Sequence, residues 1–139
     1  MSLYVDASVL LKLLRHEPES ARAAAIVEAE SELVLSALAR LEALVVIDSW
    51  VAGGLAKRLG ARRRTTLEGL RRQPPFRFVT CRGTIFDIAE AQRSSAYCPT
   101  LDRLHLAVMQ DLGLRRLFTN DDQQATAARA LGFDVIMPR

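Results

Sequence analysis

The sequence has only two cysteines, Cys81 and Cys98. They share no CxxC spacing and no histidine cluster accompanies them, which argues against a zinc site. Two isolated thiols suit a reducing compartment better than a disulfide framework. Aromatic residues are scarce, at 6% of the chain. No apolar run approaches the roughly 18 residues that span a bilayer. The N-terminus lacks a basic leader and Asp6 interrupts its first apolar stretch, so no signal peptide is expected and the cytosol is the expected compartment. Phosphate-binding glycine loops are missing: Ala52-Gly53-Gly54-Leu55-Ala56-Lys57 lacks P-loop spacing, and GxGxxG does not occur. Neither His16 nor His105 has a Ser or Cys at a recognisable spacing, so a nucleophilic triad has no support. Repeats, low-complexity tracts and long linkers are also missing, which leaves a single domain over residues 1–139.

What is present is apolar and aliphatic. Hydrophobic residues make up 50% of the 139, and a domain of that size buries roughly two thirds of its unfolded surface without disulfides. The formal charge of +3 is unevenly spread. Between Lys57 and Arg77 stand Lys57, Arg58, Arg62, Arg63, Arg64, Arg71, Arg72 and Arg77, with Glu68 the one acid among them. Such a patch fits a phosphate-backbone binder, or a solvated helix face.

Short apolar runs alternate with helical patterns. Leu3-Tyr4-Val5, Glu32 to Leu35, Phe76 to Cys81, Arg116 to Phe118 and Asp134 to Ile136 read as five strands. Ala7 to Arg15, Pro18 to Glu30, a helix from N-cap Ser36 to near Gly53-Gly54, Leu55 to Gln73, Thr84 to Ala96, Thr100 to Leu112 and Asp121 to Leu131 read as helices. This alternation predicts an α/β fold with a mainly parallel sheet covered on both faces. Ligands of such sheets bind beyond the carboxyl ends of the strands.

Three acids stand near such places. Asp6 follows the first strand, Asp121 comes three residues after Phe118, and Asp102 opens a helix behind Pro99-Thr100. A fourth, Glu42, lies within the helix after the second strand. Its neighbours at i±3 and i±4 are Leu38, Ala39, Val45 and Val46. A carboxylate on an apolar face needs a cation, either an arginine from elsewhere or a metal. Asp6 and Asp121 also suit helix caps, and Asp102 suits a helix dipole. Carboxylates converging on one sheet edge repel each other unless cations lie between them, and Mg²⁺ and Mn²⁺ prefer oxygen ligands. Two such ions about 3.5–4 Å apart can activate water and stabilise the leaving oxygen in phosphodiester cleavage. His105 falls three residues after Asp102 on the same side of its helix. It is a candidate to support that site, or to pack in the core.

These residues resemble a known family. Tyr4-Val5-Asp6-Ala7-Ser8 is similar to the first motif of PIN-domain nucleases, and Glu42 in Ala39-Arg40-Leu41-Glu42-Ala43-Leu44 to the helix motif. Leu101-Asp102-Arg103-Leu104-His105-Leu106-Ala107 is similar to the third motif. Thr119-Asn120-Asp121, followed by Ala127-Ala128-Arg129-Ala130-Leu131-Gly132-Phe133, resembles the last. The order and spacing match over essentially the whole chain, and the compact size looks most like VapC, the toxin of toxin–antitoxin pairs. The resemblance implies a three-layer α/β/α domain around about five strands. It also implies Mg²⁺- or Mn²⁺-dependent endoribonuclease activity, a VapB-type antitoxin and a homodimer. It places Asp6, Glu42, Asp102 and Asp121 in the metal site and gives Ser8 a supporting role. The pair Asp121-Asp122 leaves the last acid ambiguous by one position, with Asn120 beside it. Arg62, Arg63 and Arg64 become candidate contacts to RNA or antitoxin. Cleavage by activated water would leave a 5′-phosphate and a 3′-hydroxyl. The competing reading is a non-catalytic α/β module that binds protein or nucleic acid.

Overall fold

The computed structural model describes residues 1–139. Its elements run β1 (Leu3–Val5), α1 (Ala7–Leu14), α2 (Ser20–Ala29), β2 (Leu33–Ser36), α3 (Ala37–Ala52) and α4 (Lys57–Arg72). They continue with β3 (Phe76–Val79), α5 (Ile85–Gln92), α6 (Thr100–Leu112), β4 (Arg116–Phe118), α7 (Asp122–Ala130) and β5 (Asp134–Ile136). The five strands form one sheet in the order β3-β2-β1-β4-β5, with every neighbouring pair parallel. No helix is long and apolar enough to cross a membrane.

Strand side chains alternate between the faces of a sheet, and here both faces are covered. Leu3, Val5, Leu33, Leu35 and Phe118 pack with Val9 and Leu10 of α1, Ala23 of α2, Ala39 and Ala43 of α3 and Leu67 of α4. Tyr4, Val34 and Leu117 point the other way, onto Ile85 and Ala89 of α5, Leu106 and Met109 of α6 and Ala127 and Ala128 of α7. Burial on both sides is why the strands read as continuous apolar runs rather than alternating ones. The result is a three-layer α/β/α domain.

Chain order places the site. From β1 the chain steps outward through β2 to β3, then crosses back to β4 on the other side of β1. The order therefore reverses between β1 and β4. A crevice forms at the carboxyl ends of the strands flanking such a switch point. Asp6 immediately follows β1, and Asp121 lies three residues beyond the end of β4.

Some boundaries differ from the sequence expectation. Helix α2 begins at Ser20 rather than Pro18. Pro18 and Glu19 are spent in a turn closed by Ser20 N–H on Glu17 O (3.0 Å), while the Ser20 hydroxyl accepts from Glu17 N (2.9 Å). Helix α5 stops at Gln92 rather than Ala96. Ser95 turns back onto Gln92 O through both its hydroxyl (2.8 Å) and its N–H (3.0 Å), and serine competes in this way with helix propagation. Strand β3 stops at Val79, its last residue paired with β2. Helices α3 and α4 form a close hairpin, in which a Cβ on Gly60 would lie 2.5 Å from Val51 Cγ2.

Candidate metal centre

Asp6 caps α1 and is almost fully buried. Its Oδ1 accepts from Ser8 Oγ (2.7 Å) and Val9 N (3.3 Å), and its Oδ2 accepts from Thr119 Oγ1 (2.8 Å). Burial pushes its carboxyl above the usual range, against the pull of His105 and these hydrogen bonds. Thr119 and Ser8 join the two strand ends. Thr119 Oγ1 accepts from Asp121 N (3.0 Å), and Ser8 Oγ accepts from Asn120 N (2.9 Å). Thr119 is fully buried. The sequence reading named it within the last motif but gave it no role, because threonine after a strand carries no signal of its own.

Asp121 caps α7, with Oδ1 accepting from Gln124 N (2.8 Å), and is half-buried. Asp122, one residue on, is exposed and pairs with Arg139 Nη1 (2.8 Å). Asn120 Oδ1 and O also accept from Arg139 (3.0 and 2.9 Å). The loop thus turns the two acids to different surroundings.

Asp102 lies in the first turn of α6 and is half-buried. Its carboxylate has no hydrogen-bond or ion-pair partner in the protein. Burial, then repulsion from Asp121 and Asp6, with a smaller push from Glu42, raises it to about 6, although His105 pulls the other way. Asp102, Asp121, Asp6 and Glu42 therefore share one electrostatic field.

Glu42 comes from α3, and its Oε1 meets His105 Nε2 of α6. Its partner is a histidine rather than an arginine. Of the four apolar neighbours that singled it out, Ala39 is fully buried, Leu38 and Val46 are half-buried and Val45 faces solvent, so Glu42 lies at the edge of the buried face. Helix α3 is apolar nearly all round. His105 Nδ1 lies 2.6 Å from Tyr4 Oη, which lies 2.8 Å from Ser36 Oγ. Burial holds the Tyr4 phenol well above its usual value. This buried connection was not legible in the sequence, where Tyr4 reads as an ordinary strand residue.

No three His, Cys, Asp or Glu side chains are gathered closely enough to enclose an ion by themselves. That spacing still suits Mg²⁺, which keeps several waters and is commonly held by one or two carboxylates. The donors are all hard oxygens. A carboxylate offers about four lone-pair sites, and the recorded bonds use three on Asp6, one on Asp121, one on Glu42 and none on Asp102. Unpartnered Asp102 amid three other acids is a concentration of negative charge that a divalent cation would offset. The donor set fits such an ion.

The arginines do not act as one face. Arg64 pairs with Asp48 (3.4 Å), Arg63 stacks on the Trp50 ring (5.2 Å), and Arg62 is exposed without an ion pair. Arg71 and Arg77 are paired with Glu68 and Glu32. The free cations of the segment are Lys57, Arg58, Arg62 and Arg72, all exposed.

The PIN domain family matches residues 3–130. The chain is 34% identical to "Ribonuclease VapC46" of Mycobacterium tuberculosis (strain ATCC 25618 / H37Rv), over 99% of this chain and 98% of that protein. Its fold is similar to the crystal structure of the M. tuberculosis toxin VapC20, described as Sarcin-Ricin loop cleaving (TM-score 0.72, 16% identity, 94% of this chain and 95% of that one). It is also similar to a toxin–antitoxin complex from Klebsiella pneumoniae (TM-score 0.68, 19% identity, 100% and 98% covered). With its three-layer fold and its acids set around the reversal between β1 and β4, the chain belongs to the PIN-domain family and, within it, to the VapC group.

Proposed function

We propose that this protein is a VapC-type toxin, a metal-dependent endoribonuclease that hydrolyses RNA phosphodiester bonds. The observation that carries the reading is the half-buried, unpartnered Asp102 carboxylate, raised by burial and by its acidic neighbours. Asp6, Asp102, Asp121 and Glu42 would hold Mg²⁺ or Mn²⁺, each through the oxygens left free by its protein partners. When bound, a divalent cation supplies positive charge to the scissile phosphate and activates water for in-line attack. The protein's own work is orientation. Ser8 and Thr119 hold Asp6, and Gln124 N–H holds Asp121. With both acids fixed before RNA arrives, no reorganisation is needed at the moment of reaction.

A VapB-type antitoxin is the proposed regulator, in keeping with toxin–antitoxin complexes among the proteins of similar fold. A homodimer is proposed as the working form, and exposed Leu41, Val45, Phe86, Tyr97 and Leu101 supply apolar surface for one. The cytoplasm, where RNA is available, is the proposed compartment. Purified protein should cleave RNA with Mg²⁺ or Mn²⁺ and lose this in EDTA, and Asp6→Asn should abolish it. Full cleavage in excess EDTA would sink the mechanism.

A further inference from the structure

Four side chains form an unbroken hydrogen-bonded run from the middle of the sheet to the rim of the carboxylate site. Ser36 Oγ accepts from Ala39 N (3.1 Å) and lies 2.8 Å from Tyr4 Oη. Tyr4 Oη lies 2.6 Å from His105 Nδ1, and His105 Nε2 meets Glu42 Oε1. Ser36 and Tyr4 are fully buried and His105 is 1% exposed.

Donor arithmetic gives the run one direction. A serine hydroxyl and a phenol each have a single proton to donate, and a neutral imidazole has one donor and one acceptor nitrogen. Ser36 is fully buried and Tyr4 Oη is the one acceptor within reach of its hydroxyl, so its proton goes to Tyr4 Oη. Tyr4 then donates to His105 Nδ1. In the neutral imidazole that leaves the proton on Nε2, where it meets Glu42, and in either charge state Nε2 is the donor to Glu42 Oε1. The reverse order would strand the Ser36 proton in a dry interior without an acceptor.

Glu42 has a need that the two capping aspartates do not share. Asp6 and Asp121 sit at helix N-caps, where free backbone N–H groups bind their carboxylates. Glu42 is in the middle of α3, where every N–H is spent in the helix, and its neighbours Leu41 and Val45 face solvent. Nothing on α3 itself can hold a long side chain in one place.

We propose that Ser36, Tyr4 and His105 are positioning residues that hold Glu42 by Oε1 and leave Oε2 as the oxygen available to the cation. The proposal rests on the reading of Glu42 as a metal-site acid. Partners of ligating carboxylates typically change metal affinity or activity 10- to 100-fold when removed.

The test uses Tyr4→Phe, which keeps the ring and removes only the hydroxyl, together with His105→Leu, His105→Gln and Glu42→Gln. Mn²⁺ affinity of the metal-free protein is measured by titration calorimetry, and kcat and KM on a fixed RNA. Tyr4→Phe and His105→Leu should weaken Mn²⁺ roughly 10- to 100-fold and lower kcat with KM unchanged. His105→Gln, which keeps a donor, should recover part of both. Long-range ¹H–¹⁵N spectra of the metal-free protein should show His105 as the Nε2–H tautomer, with Nδ1 shifted in Tyr4→Phe. Tyr4→Phe fills the same space and carries the test even where His105→Leu does not fold. If Glu42→Gln is inactive while Tyr4→Phe and a folded His105 variant bind Mn²⁺ and turn over like wild type, the positioning role is wrong and the metal site stands. If Glu42→Gln itself binds and cleaves normally, the assignment of Glu42 fails, and the positioning role with it.

Discussion

Replacing Asp102 with Asn should stabilise the metal-free protein at neutral pH while destroying its metal response. In the native state its carboxyl titrates at about 6, against 3.8 ordinarily. The folded form therefore holds this proton more tightly than the unfolded form, and stability is lost as pH rises from 3.8 through about 6. At 1.36 kcal/mol per tenfold change in proton affinity, the full penalty would be about 3 kcal/mol. Asp102 is only half-buried, and screening by solvent cuts this to about 1–2 kcal/mol. Asparagine keeps the shape and removes the charge. Asp102→Asn should thus exceed wild type by about 1–2 kcal/mol at pH 7.5 in EDTA, a rise in Tm of about 3–6 °C for a chain of this size. At pH 3.8 and below the two proteins should converge. The comparison also cancels the acids that titrate low because they are ion-paired, such as Glu30 with Arg116 and Asp111 with Arg82, since both proteins contain them. Saturating Mn²⁺ should reverse the order, because an ion that binds only the native state adds stability by mass action to wild type alone. Urea unfolding at several pH values, with EDTA or Mn²⁺, reads all of this. A variant less stable than wild type at pH 7.5 in EDTA would show that Asp102 is not under repulsion in the folded protein.

Two further predictions concern helix α4. Arg58→Ala with Arg62→Ala, which removes two exposed cations without ion pairs, should lower the log–log salt slope of RNA binding by up to about 1.4, or about 0.7 per phosphate contact. Arg64→Ala, already committed to Asp48, should leave the slope alone, and the opposite ranking would put the RNA on another face. Gly60→Ala should cost about 1–2 kcal/mol in urea unfolding, because overpacking against Val51 outweighs the gain in helix propensity. A stabilised variant would contradict the close approach of α3 and α4.

The layers were legible in the sequence because burial on both faces writes itself as short apolar runs such as Leu33-Val34-Leu35. The helices between them carried their own caps, Ser36 above all. Strand order was not legible, since apolar pattern reports burial but not which neighbour a strand pairs with. Long-range polar partners were equally hidden. The hydroxyl of Tyr4 finds His105, 101 positions away, and no local periodicity encodes that meeting. The run of arginines was visible as charge, yet its division into Arg64 on Asp48, Arg63 on Trp50 and a free Arg62 depends on which way each points around α4. Glu42 shows the converse. Its apolar neighbours suggested a buried charge in need of an arginine or a metal, whereas Glu42 is only half-buried, Val45 beside it faces solvent, and its protein partner is a histidine from another layer.

The last acid is where sequence alone stays ambiguous and geometry separates the choices. Asp121 and Asp122 are adjacent, and successive side chains on a helix diverge by about 100°. Asp121 occupies the N-cap, half-buried, with Oδ1 on Gln124 N, and it is the strongest repulsive neighbour of Asp102. Asp122 is exposed and held by Arg139. An exposed pair of this kind contributes about 0–1 kcal/mol. Asp122→Asn should therefore change stability slightly and leave most cleavage intact. Asp121→Asn keeps a capping side chain, so its stability cost should also be small, while cleavage falls by orders of magnitude. It should also lower the Asp102 carboxyl towards its ordinary value, because it removes the largest repulsion acting there. Cleavage rate and Tm for both variants, with the Asp102 carboxyl followed by ¹³C NMR in the metal-free protein, decide the register. An inactive Asp122→Asn beside an active Asp121→Asn would move the final ligand one residue along the chain.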